Sequence, residues 1–127
     1  MKHFITPAQA KKLTHNFRHN RERMVRDEFH GPRTLPLCET FDRKAFDDLL
    51  AQPGCTSIRF YFGMDEGREV KLIAVGVNEK GQDILPDANR TADFSTETGM
   101  IVEDGARCPE YCPEDSYLNT DDKNTNP

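Results

Sequence analysis

The chain has 127 residues, of which 35% are hydrophobic and 31% are charged, and its formal net charge is −5. This length leaves room for one core of ordinary size, and no stretch approaches the roughly 20 apolar residues of a membrane-spanning helix. The N-terminus has no apolar run of signal-peptide length. We therefore expect a small soluble domain with a cytoplasmic location and no membrane partner.

The first predicted element is a long helix over residues 7–30. Thr6 and Gln9 have capping-box spacing, and Pro7 stands at the first helical position, where its missing N–H group costs nothing. Apolar residues then recur at helical spacing until Gly31 supplies a stop. These apolar positions are Ala10, Leu13, Phe17, Met24, Val25 and Phe29. The helix has one apolar stripe, and we expect it to lie across the rest of the domain.

The next part of the chain predicts a short helix followed by three strands. Asp42 is a suitable N-cap for an amphipathic helix over residues 42–52. Residues 56–63 alternate in type and are rich in aromatic and β-branched side chains, which predicts a strand. The nearly all-apolar run within residues 69–77 predicts a central strand, and residues 82–86 predict a short return strand after a glycine turn.

The predicted fold class is α+β, with two N-terminal helices packed on a small antiparallel β-meander. We expect a single domain over residues 1–103, in which residues 100–102 are a candidate edge strand. Residues 104–127 are expected to form a flexible, cysteine-containing tail that is largely disordered. The reason is that its last part is rich in Asn, Asp and Thr and has little to bury.

Three consecutive aromatic residues, Phe60, Tyr61 and Phe62, admit two interpretations. They could stack on nucleic-acid bases, as in sheet-based RNA readers. We favour core packing, because alternation along a strand sends Phe60 and Phe62 inward together with Ile58. Tyr61 then faces the other way, beside Arg59. The prediction is that Phe60 and Phe62 are buried.

Several segments together resemble a known family. The segments are AFDDLLAQPGC, IRFYFGMDE, LIAVGVNEKGQDIL and CPEYCP, in that order. They are similar to a family of small bacterial proteins that carries no assigned activity, and the resemblance covers roughly residues 39–119, with the N-terminal helix a looser match. The resemblance implies that Cys55, Cys108 and Cys112 belong to one pattern. It transfers no catalytic residue, cofactor or substrate.

The four cysteines are the candidate metal or redox residues. Cys108 and Cys112 are separated by three residues, so they could bind one metal ion, form a disulfide or remain thiols. Zinc is the metal that such soft ligands suit, and Cys38 and Cys55 could complete a four-thiolate set. A disulfide would instead fasten the tail, given an oxidising compartment. Cys55 also fits a small buried hydrophobic residue at the start of the core.

The segment that contains the predicted first helix is basic, in contrast to the acidic remainder of the chain. Residues 1–33 hold eight Lys or Arg residues against three Asp or Glu residues. His15 and His19 lie one helical turn apart and could share a metal ion or be solvated. With Arg18 and Arg21 they form a candidate binding surface for nucleic acid, for an acidic protein surface or for the acidic tail of the chain.

No catalytic constellation is recognised in the sequence. It contains no nucleophile elbow, phosphate loop, zincin helix or patterned Cys-His pair. We therefore expect a non-enzymatic protein that binds another protein or copies of itself, through the long helix and the sheet edges. A thiol-based metal or redox module at Cys108 and Cys112 is the first alternative. Nucleic-acid binding is the second, and the overall acidic charge counts against it.

Overall fold

The computed structural model describes residues 2–86 and 99–119. This part of the chain is α+β, with two α-helices and a small antiparallel sheet. The helices are α1 (Pro7–Asn20) and α2 (Arg43–Ala51), and two 3-10 helices follow α1 at Arg21–Met24 and Asp27–Phe29. The strands are β1 (Cys38–Thr40), β2 (Cys55–Met64), β3 (Val70–Asn78), β4 (Asp83–Ile84), β5 (Ile101–Val102) and β6 (Ala106–Cys108). No helix in these residues is long and apolar enough to cross a membrane.

The chain divides into two compact units. The terminal unit combines the described residues up to Cys38 with those from Arg107 onward, and the central unit comprises Glu39–Ala106. This division differs from the predicted domain of residues 1–103 followed by a tail, because the segment from Arg107 to Asn119 clusters with the N-terminal segment. The last part of the predicted disordered tail, residues 120–127, lies outside the described residues.

Helix α1 begins at Pro7, where the capping-box pattern places its start. The hydroxyl of Thr6 accepts a hydrogen bond from the backbone N–H of Gln9 at 3.1 Å, and the Gln9 side chain accepts one from the Thr6 backbone at 2.8 Å. The helix ends at Asn20, whereas the apolar spacing predicts a helix to residue 30. Val25 has extended φ and ψ values of −125° and 156°, which interrupt the helical path between the two 3-10 helices.

The early end of α1 has a physical reason. Leu13 and Met24 are both 62% exposed, so the apolar stripe gains little burial by remaining helical. The bent path instead lets the Arg21 guanidinium donate to the backbone oxygen of Leu35. Glu22 also accepts a hydrogen bond from the backbone of Gly31 at 3.3 Å. The end of α1 therefore depends on contacts with residues beyond the helix.

Strand β3 is the central strand of the sheet in the central unit. β2 pairs antiparallel with one side of β3, with Phe60 opposite Ala74. β4 and β5 pair antiparallel with its other side, one after the other. Ala74, Val75 and Val77 are 0%, 2% and 4% exposed, which accounts for the nearly continuous apolar run of this strand. β1 and β6 form a separate two-stranded sheet.

Helix α2 packs on the sheet through Leu49, which is fully buried. Gly76 of β3 permits the close approach, because a Cβ atom there would lie 2.7 Å from Nε2 of Gln52 and 2.9 Å from Sγ of Cys55. Gln52 is itself buried, and its Nε2 donates to the backbone oxygen of Leu49 at 2.9 Å. These contacts attach the C-terminal end of α2 to β3.

Candidate functional site

Strand β2 is an edge strand. Within residues 2–86 and 99–119 it pairs with β3 alone, so the backbone groups on its other side are available. The pairing is irregular between Cys55 and Ser57 and regular from Ile58 to Met64. This regular part contains one charged residue, Arg59, and no proline. A long edge of this kind is a template for pairing with a further strand.

The apolar face of β2 is exposed along most of its length. Phe60, Phe62 and Met64 are 46%, 80% and 54% exposed. The ring of Phe60 packs edge-on against Phe46 of α2, with ring centroids 6.0 Å apart. α2 has nine residues and is about 14 Å long, whereas the ten residues of β2 extend over about 33 Å. The helix is therefore too short to cover the whole strand.

The predicted burial of Phe60 and Phe62 is wrong. Alternation along β2 places both rings on the side of the sheet that carries α2, but exposure depends on how far the covering helix reaches. Phe60 lies against α2 and is about half exposed, while Phe62 is among the most exposed apolar residues in the described chain. The strand therefore presents an aromatic side chain next to its available backbone edge.

The opposite face of β2 carries a polar cluster of Arg59, Tyr61 and Asp83. Arg59 and Tyr61 reach across β3 and both donate hydrogen bonds to the carboxylate of Asp83. Arg59 also donates to the backbone oxygen of Gly81 at 3.3 Å. The bond from Tyr61, followed by that from Arg59, lowers the pKa of Asp83, and the same bond to Asp83 raises the pKa of Tyr61. The most exposed apolar side chains of β2, Phe62 and Met64, thus lie on the α2 side.

The Asp83 cluster predicts a pH dependence of stability. The free energy of unfolding should fall as the pH drops below the ordinary aspartate value of 3.8, because the folded-state pKa of Asp83 is lower than that value. The stabilisation is present above the unfolded-state pKa and is lost as the pH falls through the folded-state pKa. Urea unfolding of the wild type and of Asp83→Asn, at neutral and strongly acidic pH, measures the difference.

The variant Asp83→Asn should lose less stability in acid than the wild type. Asp65 needs a separate control, because a hydrogen bond from the backbone of Glu69 also lowers its pKa. Asp65→Asn should remove its own part of the acid sensitivity and leave the Asp83 part in place. An identical pH dependence in the wild type and Asp83→Asn would contradict the proposed role of the cluster.

Cys108 and Cys112 form a disulfide. Cys108 is fully buried in β6, whereas Cys112 is exposed. The ring is local, with a sequence separation of four, so loop closure contributes about 2 kcal/mol in the chain-entropy model. It joins two parts of the same short segment, so it does not link the tail to a distant part of the chain. A zinc site that uses these two thiolates requires the reduced form, and it stays a prediction.

Other contacts attach the C-terminal segment to the rest of the terminal unit. The guanidinium of Arg107 donates to the backbone oxygen of Arg33 at 2.6 Å, and Arg33 pairs with Glu110 at 2.8 Å. The backbone N–H of Leu37 donates to the oxygen of Cys108 at 2.7 Å. These partners are about 70 or more residues apart in the sequence, and no local pattern marks them.

Cys38 and Cys55 lie at the starts of two strands, β1 and β2, and both are half-buried. The thiol of Cys55 donates to the backbone oxygen of Ser57 at 3.4 Å and faces Gly76. Across the described residues, no three His, Cys, Asp or Glu side chains are grouped so that they could hold a metal ion. The four-cysteine zinc set stays a prediction.

The residues of the predicted binding surface lie on α1 and, for Arg21, at the start of the 3-10 helix that follows, and they make contacts within the terminal unit. The rings of His15 and His19 lie 4.1 Å apart, so the structure brings these two residues together. The Arg18 guanidinium donates to the backbone oxygen of Leu118 at 2.9 Å, and Arg21 donates to Leu35. Both arginines thus hold parts of the terminal unit together. Nucleic-acid binding by this helix stays a prediction.

These observations define a small α+β protein with an available edge strand in one unit and a disulfide ring in the other. No family model matches the chain, and neither a curated protein nor a solved structure is significantly similar to it. The resemblance of the sequence to a family of small bacterial proteins therefore stays a prediction.

Proposed function

We propose that the protein acts by self-association, with β2 of one copy pairing antiparallel to β2 of a second copy. The observation that carries this proposal is the 80% exposure of Phe62 on a regular edge strand. An aromatic side chain next to available backbone groups favours strand addition, in which main-chain hydrogen bonds supply affinity and side chains supply register. The pairing extends the sheet across two copies and packs the apolar side chains of β2 against those of the second copy.

The residue order of β2 suits a twofold axis at Tyr61. Antiparallel pairing about this position places Phe60 of one copy opposite Phe62 of the other, and Ile58 opposite Met64. Each of these contacts occurs twice because the interface is symmetric. The Cβ atoms of two residues directly opposite each other on one face are about 4.5–5.5 Å apart, which is close enough for aromatic and aliphatic side chains to pack.

The charge pattern of β2 is compatible with a second copy as the partner. Arg59 is the single charged residue of β2, and an axis at Tyr61 places it opposite Gly63 of the second copy. The register therefore places no like charges opposite each other.

A cysteine at the axis tests the proposed register. The variant Tyr61→Cys should give a disulfide-linked dimer on mild oxidation, because Cα atoms across an antiparallel pair lie about 4.5–5.5 Å apart, within the span of a disulfide. Arg59 still holds Asp83 in this variant, so Asp83 keeps one of the two hydrogen bonds that it accepts from β2. Non-reducing electrophoresis and mass spectrometry identify the product and the linked residues.

The matched control for this experiment is Ser57→Cys. Ser57 is exposed and on the same face of β2 as Tyr61, but in the proposed register its two copies lie about 26 Å apart. Equal crosslinking of the two variants would contradict the register. A wild-type protein that is monomeric in light scattering at high concentration would contradict self-association itself.

A further inference from the structure

We infer that the Cys108–Cys112 disulfide is a thiol–disulfide exchange site whose substrate is a protein dithiol. The two sulfurs have different access, because Cys112 is exposed and Cys108 is 0% exposed. An incoming thiolate must approach the sulfur that it attacks, and access is one of the quantities that set the rate of exchange. Cys112 is therefore the attacked residue and Cys108 the leaving group.

The reaction consists of two displacements. In the first, a thiolate of the dithiol bonds to Sγ of Cys112, and the Cys108–Cys112 bond breaks with its electron pair on Sγ of Cys108. In the second, the other thiolate of the dithiol attacks its partner sulfur and releases Cys112 as a thiolate. The dithiol loses two electrons and becomes a disulfide. Cys108 and Cys112 gain them and take up two protons to become thiols.

The surroundings of Cys108 suit the leaving-group role. Nδ2 of Asn119 lies 3.9 Å from Sγ of Cys108 and donates toward it. A donor at this position stabilises negative charge on the sulfur as the bond breaks, which offsets part of the cost of forming a buried thiolate. Asn119 is thus a positioning residue for the exchange, and the variant Asn119→Ala should slow it.

The fold of the terminal unit should survive reduction. The backbone of Tyr111 donates to the oxygen of Arg107 at 2.8 Å, so the turn inside the ring has its own hydrogen bond. Leu37 binds the backbone of Cys108, and Arg33 pairs with Glu110. None of these contacts uses a sulfur atom. A disulfide whose reduction leaves its segment in place can cycle between two states, as an exchange site requires.

The first test identifies the attacked sulfur. The oxidised full-length protein is treated with reduced glutathione, quenched by alkylation, and mapped by mass spectrometry. Reduced glutathione forms an adduct only at a disulfide, so cysteines outside the ring do not contribute. We expect the adduct on Cys112 in about tenfold excess over Cys108. An adduct mainly on Cys108, or equal amounts on both, would overturn the assignment.

The second test measures the exchange itself. Reduced thioredoxin serves as the protein dithiol, and its oxidation by the disulfide-bonded protein is followed over time. Asn119→Ala should lower the rate about threefold or more, and Asn16→Ala, a polar residue on exposed α1 surface, should leave it unchanged. The circular dichroism of the reduced protein should match that of the oxidised form. No oxidation of thioredoxin, or unfolding on reduction, would refute the proposed site.

Discussion

Replacing Phe62 by lysine should weaken self-association about 100-fold or more and leave a folded monomer. Phe62 is 80% exposed in the single chain, so its replacement costs the monomer little stability. In the proposed dimer each copy buries its own Phe62 against Phe60 of the other. Full burial of a phenylalanine side chain is worth about 1.5–3 kcal/mol. The cross-strand contact with Phe60 supplies part of this at each of the two symmetric positions. Lysine is also a residue that natural edge strands use to prevent pairing.

Light scattering and sedimentation over about a hundredfold range of concentration measure this effect. The matched control is Phe4→Lys, because Phe4 is 71% exposed but lies in the terminal unit, outside β2. This control should keep the self-association of the wild type. If Phe4→Lys weakened self-association as much as Phe62→Lys, any added lysine would be enough to prevent it. The proposed interface at β2 would then be wrong.

Signals between neighbouring residues correctly predicted the start of α1 and the burial of β3. The capping box of Thr6 and Gln9 identifies the beginning of α1, since both of its hydrogen bonds join residues three apart. The apolar run of β3 indicates burial on both faces, which the exposures of Ala74 and Val75 show. Each of these features depends on side chains that are close together in the sequence, so the pattern contains the information.

The exposed face of β2 was not predictable from the same patterns. Alternation correctly groups Phe60 with Phe62, but the burial of a strand face depends on the length of the helix that covers it. α2 begins at Arg43, and its Phe46 packs on Phe60, so the covered region stops near Phe60. The edge strand itself follows from the sheet order, which brings together segments distant in the sequence. The candidate site is therefore a property of the tertiary structure.

The contacts of the C-terminal segment were not predictable from sequence patterns either. Arg107 and Arg18 hold it through the backbone oxygens of Arg33 and Leu118. Backbone oxygens are present at every residue, so no sequence pattern distinguishes the ones that become acceptors. The chemical state of Cys108 and Cys112 was not predictable from their spacing, because a separation of four permits a disulfide, a metal pair or two thiols. Only the paired positions of the two sulfurs select one of these.

The attachment of α2 to β3 should depend on Leu49. Leu49→Ala should lower the free energy of unfolding by about 2–5 kcal/mol, because it removes a fully buried side chain and leaves a cavity above the sheet. Alanine is the strongest helix former, so loss of helix propensity does not contribute to this cost.

Urea unfolding in the Phe62→Lys background measures the effect without a contribution from self-association. The neighbouring Leu50, which is 50% exposed, supplies the control, and Leu50→Ala should cost less than about 1 kcal/mol. Equal losses at the two positions would contradict the packing of α2. A large loss of unfolding free energy at Leu49 alone would show that α2 is held to the sheet by one face. This is expected of a short helix that leaves the far part of β2 available for pairing.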